Sequence, residues 1–344
     1  MFPTMPLWLD ITVFLVAGVV ITIVGTRLAG LADLLADRTG LGEAFTGAVF
    51  LGATKSLPGI LTSVITAHRG YPELAMSNAI GGMAAQTTFL ALADFFYRKI
   101  NLEHAAASVP NILSGAMLVV LLGLILVAVG LPATWTLFGV HAATPVLFIA
   151  YALSLKAARK AHQFPAWKPT QSKETVEDEP DADSERDERS MAFRIGEFLV
   201  LAGLTVVAGY AVAQTGVELV QQTGLKQTIV GGLFTAVATS TPELVTAIAA
   251  VRRGALTLAV GDIVGGNTFD CLFAAAADVA YRDGSIYHAM GAENQFLIAL
   301  TIVMTGVLVM GLLYREKRGM FNIGFESVIV LLLYAGGFVI LWFY

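Results

Sequence analysis

Val237-Ala238-Thr239-Ser240-Thr241-Pro242-Glu243 sets a proline and a carboxylate in the middle of an apolar run, and the chain carries the same passage earlier as Ala53-Thr54-Lys55-Ser56-Leu57-Pro58-Gly59. From here residues 56–94 and 240–278 align without a gap. Identical pairs include Ser56/Ser240, Pro58/Pro242, Thr62/Thr246, Arg69/Arg253, Gly70/Gly254, Gly81/Gly265, Gly82/Gly266, Phe89/Phe273 and Asp94/Asp278. The copies disagree at three telling columns: Lys55 faces Thr239, Gly59 faces Glu243 and Gln86 faces Asp270. A duplicated apolar segment that is broken by proline and carries acid is the sequence sign of a membrane transporter's binding site.

Composition agrees. The chain has 344 residues, of which 56% are hydrophobic and 14% charged, with a mean hydropathy of +0.73. Soluble domains carry about 25% charged residues, so this is an all-α polytopic membrane protein. Its partners are the lipid bilayer and inorganic cations, and nothing points to nucleic acid. The net charge of -5 identifies no partner, because the acid is concentrated in one stretch. A lone cysteine, Cys271, excludes an internal disulfide. The first apolar run is too long for the core of a cleaved signal and reads as a retained helix.

A helix crossing the bilayer core needs about 20 largely apolar residues. Ten candidate spans follow: 7–31, 41–66, 72–98, 107–130, 132–156, 193–214, 227–252, 254–282, 291–313 and 321–343. Between the fifth and sixth lies the one long polar stretch, 157–191, with Pro165, Pro169, Pro180 and a run of acids from Glu174 to Glu188. Such a composition cannot fold alone, so it reads as an acidic linker. The expected organisation is a first five-helix repeat at 1–156, the linker at 157–191 and a second five-helix repeat at 192–344.

Basic residues orient the spans. With both termini outside, the inner ends carry Arg27, Arg38, Arg98, Lys99, Lys156, Arg159, Lys160, Arg252, Arg253, Arg315 and others, while the outer ends carry only Arg69, Lys226 and Arg282. The linker is then cytoplasmic, and a prokaryotic plasma membrane is the expected location. An odd number of helices per half inverts the second half, so Arg69 ends its span outside and Arg253 ends the matching span inside. Charge rule and repeat agree on inverted topology without having been derived from each other.

Chemistry sits inside the repeat. Pro242 has no N–H, so the carbonyl of Ala238 loses its helical donor, and Pro58 does the same to Thr54. Bare carbonyls at membrane depth are tolerated where they line a cavity or bind something. Thr239 and Glu243 lie four apart on one face. Asp270 follows in the next span, after the glycine pair Gly265-Gly266, which lets another backbone come close. A carboxylate at mid-membrane costs roughly 2.5–3.5 kcal/mol on insertion scales, so it is a functional candidate by default. Hydroxyls, carbonyls and two carboxylates form a hard-oxygen site for Na⁺, Ca²⁺ or Mg²⁺. In the first copy the acid is gone and Lys55 stands one turn before Gly59. Inverted symmetry is expected to bring Lys55 near Glu243, as a tethered cation filling part of the site. Asp94 and Asp278 read as caps or interfacial residues rather than ligands. Asp262 is either an outer ligand or a helix–helix hydrogen-bonding group, and Cys271 reads as a packing residue.

The two copies resemble the alpha repeats of the calcium/cation antiporter superfamily, which includes the sodium/calcium exchangers. The resemblance rests on Thr239-Ser240-Thr241-Pro242-Glu243 and Gly265-Gly266-Asn267-Thr268-Phe269-Asp270 in the second copy, and on Ser56 and Pro58 in the first. It implies a secondary antiporter that exchanges a cation, Ca²⁺ foremost, for Na⁺ or H⁺ by alternating access, with no cofactor and no enzyme activity. The resemblance makes Glu243, Asp270, Thr239 and Ser240 ion ligands, with Glu243 and Asp270 holding the metal. Ser56, Gln86 and the carbonyls of Ala238 and Thr54 complete the expected set. The first copy departs from the pattern: Lys55, Gly59 and Gln86 stand where the family has threonine, glutamate and asparagine or aspartate, and Gly266 stands where it has serine.

Two other readings are open, and a third is not. One is a monovalent-cation or proton-coupled exchanger in which Lys55 replaces a bound cation. Another is a non-transporting relative locked by a Lys55–Glu243 bridge. The third, an intramembrane protease suggested by Gly261-Asp262, fails because Ala259 breaks the motif and no Tyr-Asp partner exists. A Gly-x-x-x-x-Gly-Lys-Ser/Thr loop is missing from the sequence, which argues against ATP-driven pumping.

Overall fold

The computed structural model describes residues 6–39, 45–97, 101–164, 189–316 and 323–344. Its first half runs α1 (Leu7–Val20), a π-turn (Ile21–Gly25), α2 (Thr26–Thr39), α3 (Phe45–Lys55), α4 (Leu57–His68), α5 (Pro72–Asp94), the short α6 (Leu102–Ala106), α7 (Val109–Gly130), a hairpin of β1 (Thr136–Leu137) and β2 (Val140–His141), and α8 (Ala143–Gln163). Its second half runs α9 (Met191–Thr223), α10 (Gln227–Ile229), a π-turn (Val230–Thr235), α11 (Ala236–Arg253), α12 (Leu256–Ala280), α13 (Ile286–Ala289), α14 (Ala292–Tyr314) and α15 (Phe325–Phe343).

The interval that relates the two copies governs the helices too. The continuous α1–α2 helix corresponds to α9, α5 to α12, α6 to α13, and α7 to α14. Even the turns repeat: Gly70 and Gly254 both take positive φ, +81° and +85°, a conformation open to glycine at little cost.

Among the described residues, seven helices are long and apolar enough to cross a membrane: Leu7–Ala36, α7, α9, Gln227–Arg253, α12, α14 and α15. Large apolar side chains such as Leu15, Val19, Leu199, Val207, Leu332 and Val339 stay exposed on them, a surface suited to lipid. The other three expected spans differ for stated reasons. The 41–66 span is two helices, because the chain leaves helical geometry at Ser56 (φ −82°, ψ 3°) and restarts with Pro58 in the first turn of α4, where a missing N–H costs nothing. The 72–98 span ends at Asp94, and α5 is buried almost along its length. Protein packs against nearly all of it, which is why it can be rich in Ser77, Asn78, Gln86, Thr87 and Thr88 rather than in leucine. The 132–156 span begins only at Ala143, since residues 136–141 form the hairpin, and it extends to Gln163 into the expected linker. The acidic stretch from 165 to 188 lies outside the described residues.

α1 and α4 both pack on α9, while α5, α7, α8, α12, α14 and α15 enclose the principal apolar core around Met83, Leu122, Phe273 and Met304. The halves are tied at both ends by the repeated aspartates. Asp94 accepts from the N–H of Leu102, the N–H of Gly324 and the hydroxyl of Ser327. Asp278 accepts from the N–H of Ile286, the N–H of His141 and the hydroxyl of Thr144. Each thus caps its own short helix and the last helix of the opposite half. The reading of both as caps agrees with these bonds.

Candidate functional site

The site forms where α4, α5, α11 and α12 meet. Glycines let them approach: a Cβ at Gly81 would overlap the carbonyl of Gly232, and one at Gly25 would lie 2.8 Å from Cγ of Pro242. The π-turn of the first helix therefore rides directly on the proline of α11, and Thr22 and Thr241 share a 2.6 Å hydroxyl bond beside it. In the second copy Pro242 sits inside an unbroken helix, whereas in the first Pro58 starts a new one.

Asp270 is buried at 2% exposure. It accepts 2.5 Å from the Ser56 hydroxyl and 2.8 Å from Gln86 Nε2. Gln86 also reaches Ser240 Oγ at 3.4 Å. Asp270, Ser56, Gln86 and Ser240 thus come together, drawn from both halves. Glu243 is 8% exposed, and its Oε2 is buried without a hydrogen-bond partner. An orphaned buried carboxylate oxygen is a costly feature that calls for an ion or a proton.

A cavity of about 650 Å³ reaches this constellation. Lys55, Ser56, Gln86, Glu243 and Asp262 line it, with Gly265, Gly266 and Thr268 of α12. It emerges at exposed Asp33 and Arg253, the end of the bundle where basic residues gather. The opposite end is sealed by backbone contact between α5 and the π-turn at Val230–Thr235, where Gly231 meets Ser77 and Gly232 meets Gly81. Gly265, which repeats Gly81, has nothing within 4 Å of its Cβ position. The two halves are therefore closed and open in turn around one site.

Several expected positions come out differently. Lys55 pairs with Asp262 across the cavity rather than with Glu243. Asp262 is correspondingly an ion-pair partner joining α3 to α12. Thr239 turns its hydroxyl back to the carbonyls of Thr235 and Ala236, at 2.9 and 3.2 Å, and does not line the cavity. The carbonyl of Ala238 is not bare, because the Thr241 hydroxyl donates to it at 3.0 Å. Thr54 is buried at 7% exposure outside the cavity lining, where the helix breaks.

Phe273 was not legible as a site residue. A Cβ at Gly59 would stand 2.7 Å from its ring, so the position opposite Glu243 is filled by an aromatic ring. A signal existed: Phe273 repeats Phe89 in the column set that also repeats the glycines. Among the described residues no group of three or more His, Cys, Asp or Glu side chains is placed to hold a metal ion. A metal here would need hydroxyl, amide and carbonyl oxygens beside Glu243 and Asp270, and those are the atoms gathered around Asp270.

The model of the sodium/calcium exchanger protein family matches residues 9–156 and 194–343. No curated protein matches. Among solved structures, the H⁺/Ca²⁺ exchanger CAX superposes with a TM-score of 0.68 at 16% identity, covering 96% of this chain and 82% of that one. The sodium-calcium exchanger NCX_Mj, soaked with 10 mM Na⁺ and zero Ca²⁺, gives a TM-score of 0.60 at 18% identity over 97% and 99% of the two chains. The same exchanger at 2.5 mM Na⁺ and 0.1 mM Sr²⁺ gives 0.59 at 19%, over 97% and 99%. At these identities the structures establish the shared fold, and the family match covers nearly both halves. The chain belongs to the sodium/calcium exchanger protein family, a family of integral membrane transporters and not an enzyme class.

Proposed function

We propose that this chain is a secondary antiporter that carries a divalent cation, Ca²⁺ foremost, against Na⁺ or H⁺. The observation that carries this is the pairing of Lys55 with Asp262. Counted with Glu243 and Asp270 alone, Lys55 would leave a single negative charge. With Asp262 neutralising Lys55, the two inner carboxylates keep both of theirs. A two-carboxylate site with neutral oxygens from Ser56, Ser240 and Gln86 matches the donor chemistry of a divalent hard cation. Two Na⁺ or two protons would balance the same charge on the return. The family match and the likeness to exchangers named for Ca²⁺, Na⁺ and H⁺ support this choice of ions.

The same pairing weighs against the two rival readings. A Lys55 that replaced a bound cation, or that locked the site shut, would have to sit on Glu243. The Glu243 oxygen that such a bridge would occupy has no partner. Alternating access is supported by the sealed Gly81 side and the open Gly265 side. Exchange of these two states would carry the site from the basic end, cytoplasmic by the charge rule, to the other. In purified protein reconstituted in liposomes, a Ca²⁺ gradient drives Na⁺ or H⁺ counterflow, and Glu243→Gln abolishes it. Wild-type flux in that variant, or no Ca²⁺ movement in the native protein under any Na⁺ or pH gradient, overturns the proposal.

A further inference from the structure

At the basic end of the bundle, three carboxyl groups lie buried away from the transport site. Asp94, Glu103 and Glu326 have exposures of 0%, 1% and 0%. Asp94 is fully engaged by two backbone N–H groups and Ser327. Glu103 Oε1 takes the Ser327 hydroxyl at 3.1 Å, but its Oε2 and both oxygens of Glu326 have no partner. The two carboxyls meet over Gly324: Glu326 Oε1 and Glu103 Oε2 both border its Cβ position, the latter at 3.0 Å.

The other half shows that the cap does not need these acids. Around Asp278 the same arrangement of backbone donors and a hydroxyl is built with Tyr287 where the first half has Glu103. Tyr287 takes a 2.9 Å bond with Thr144, as Glu103 does with Ser327. Ala142 and Ala143 stand where the second half has Glu326, whichever register is used. Two neutral residues do at one end what two buried carboxyls do at the other, so the carboxyls serve something besides capping.

We propose that Glu103 and Glu326 bind one proton between them, and that this proton fastens α6 to the start of α15 at the basic end of the bundle. Space decides for a proton over a metal ion. A Cβ at Gly311 would lie 2.5 Å from Glu326 Cγ and 2.9 Å from its Oε1, and Gly324 closes the other side. The carboxyl is wedged between two glycine backbones with no room for a coordination shell. Other titratable or charged groups near the pair are Asp94 at the end of α5, His104 on α6, and Arg315 and Glu316 after α14. Arg315 turns its guanidinium to the carbonyl of His104. Burial, then the charges of Asp94 and Glu326, hold the Glu103 carboxyl well above the usual carboxylate range. Two anions would otherwise face each other in a dry pocket, a costly arrangement. The inference is independent of which ions the transport site moves.

A group whose folded-state affinity for a proton is raised contributes stability that is lost as pH rises from the ordinary carboxylate range through its folded value. The melting temperature of the purified protein should therefore fall as the pH rises above the ordinary carboxylate range, by ~3 °C or more. Glu103→Gln keeps the shape and a donor but cannot titrate, and Glu326→Gln does the same from the other side. Each should flatten the pH dependence and remove one protonated-carboxyl band from the infrared spectrum at neutral pH. One folded variant is enough for the test. If the folded variants keep the wild-type slope and band, the shared proton is excluded. If added Ca²⁺ or Mn²⁺ abolishes the band in wild type but not in Glu243→Gln, the protonated carboxyl belongs to the transport site, which also overturns the proposal.

Discussion

Gln86 Nε2 donates a 2.8 Å hydrogen bond to Asp270 Oδ2, and the two residues hold the same position in their respective halves. The pseudo-twofold axis thus passes through an amide–carboxylate bond. Nearby, Asn267 Nδ2 reaches the carbonyl of Met83, its own counterpart, at 3.3 Å. Residues that repeat one another touch across this axis, and substitution of one partner makes the constellation asymmetric. Replacing Gln86 by Met should therefore strip a charge-assisted bond from Asp270 at nearly constant volume. A loss of about 1.5–3 kcal/mol is expected for a bond to a charged group, read as a lower melting temperature. An unchanged melting temperature would show that the bond contributes nothing.

Asp262 compensates Lys55. Asp262→Asn should release the lysine's charge toward Glu243 and weaken Ca²⁺ binding at least about tenfold, or ~1.4 kcal/mol. Lys55→Met together with Asp262→Asn should recover most of that loss. Isotope binding to the three proteins checks it; equal loss in the single and double variants would mean that Asp262 is itself a ligand.

Restoring the missing glutamate is blocked by packing. Gly59→Glu drives its first carbon into the Phe273 ring, and overpacking of this kind costs about 1–3 kcal/mol. The Lys55→Thr, Gly59→Glu pair should express poorly. Adding Phe273→Ala should restore folding and raise Ca²⁺ affinity, as measured by thermal unfolding with and without Ca²⁺. A well-folded double variant with Phe273 intact would refute this.

Gly265 should matter only to the state not captured. Its Cβ position is open here, whereas that of its counterpart Gly81 is filled by the backbone of Gly232. Gly265→Val is expected to leave melting unchanged and stop flux, because the alternate closure cannot form. Gly81→Val should instead destabilise the protein as seen here. A transport-competent Gly265→Val would break the symmetry argument, and side-specific labelling of a cysteine at Thr268 in a Cys271→Ala background would report which state each variant occupies.

Asp278 gathers two backbone N–H groups and a hydroxyl. Asp278→Ala leaves buried donors unsatisfied, at about 1–3 kcal/mol each. It should lower the melting temperature well below that of Asp278→Asn, which can still accept. Equal melting of the two variants would contradict the cap.

The sequence by itself determined the architecture, because hydropathy, basic-residue placement and a gapless repeat are properties of the linear chain. Each half had to carry matching helices, and Ser56, Gln86, Ser240, Glu243 and Asp270 were legible as a candidate site because polar groups within apolar spans are expensive. Tertiary structure decided what each of them faces. Lys55 chose Asp262 over Glu243, and Thr239 and Ala238 spent their polar atoms locally. Phe273 took the place of the absent carboxylate. Such choices depend on which backbones approach closely, at Gly81 against Gly232 or Gly59 against Phe273, and a spacing along one chain does not encode the distance between two. The expected 72–98 span differs from an ordinary apolar helix for the same reason, since α5 is packed by protein along nearly its whole length; the 41–66 span instead breaks at Ser56, and the hairpin at 136–141 shortens the 132–156 span.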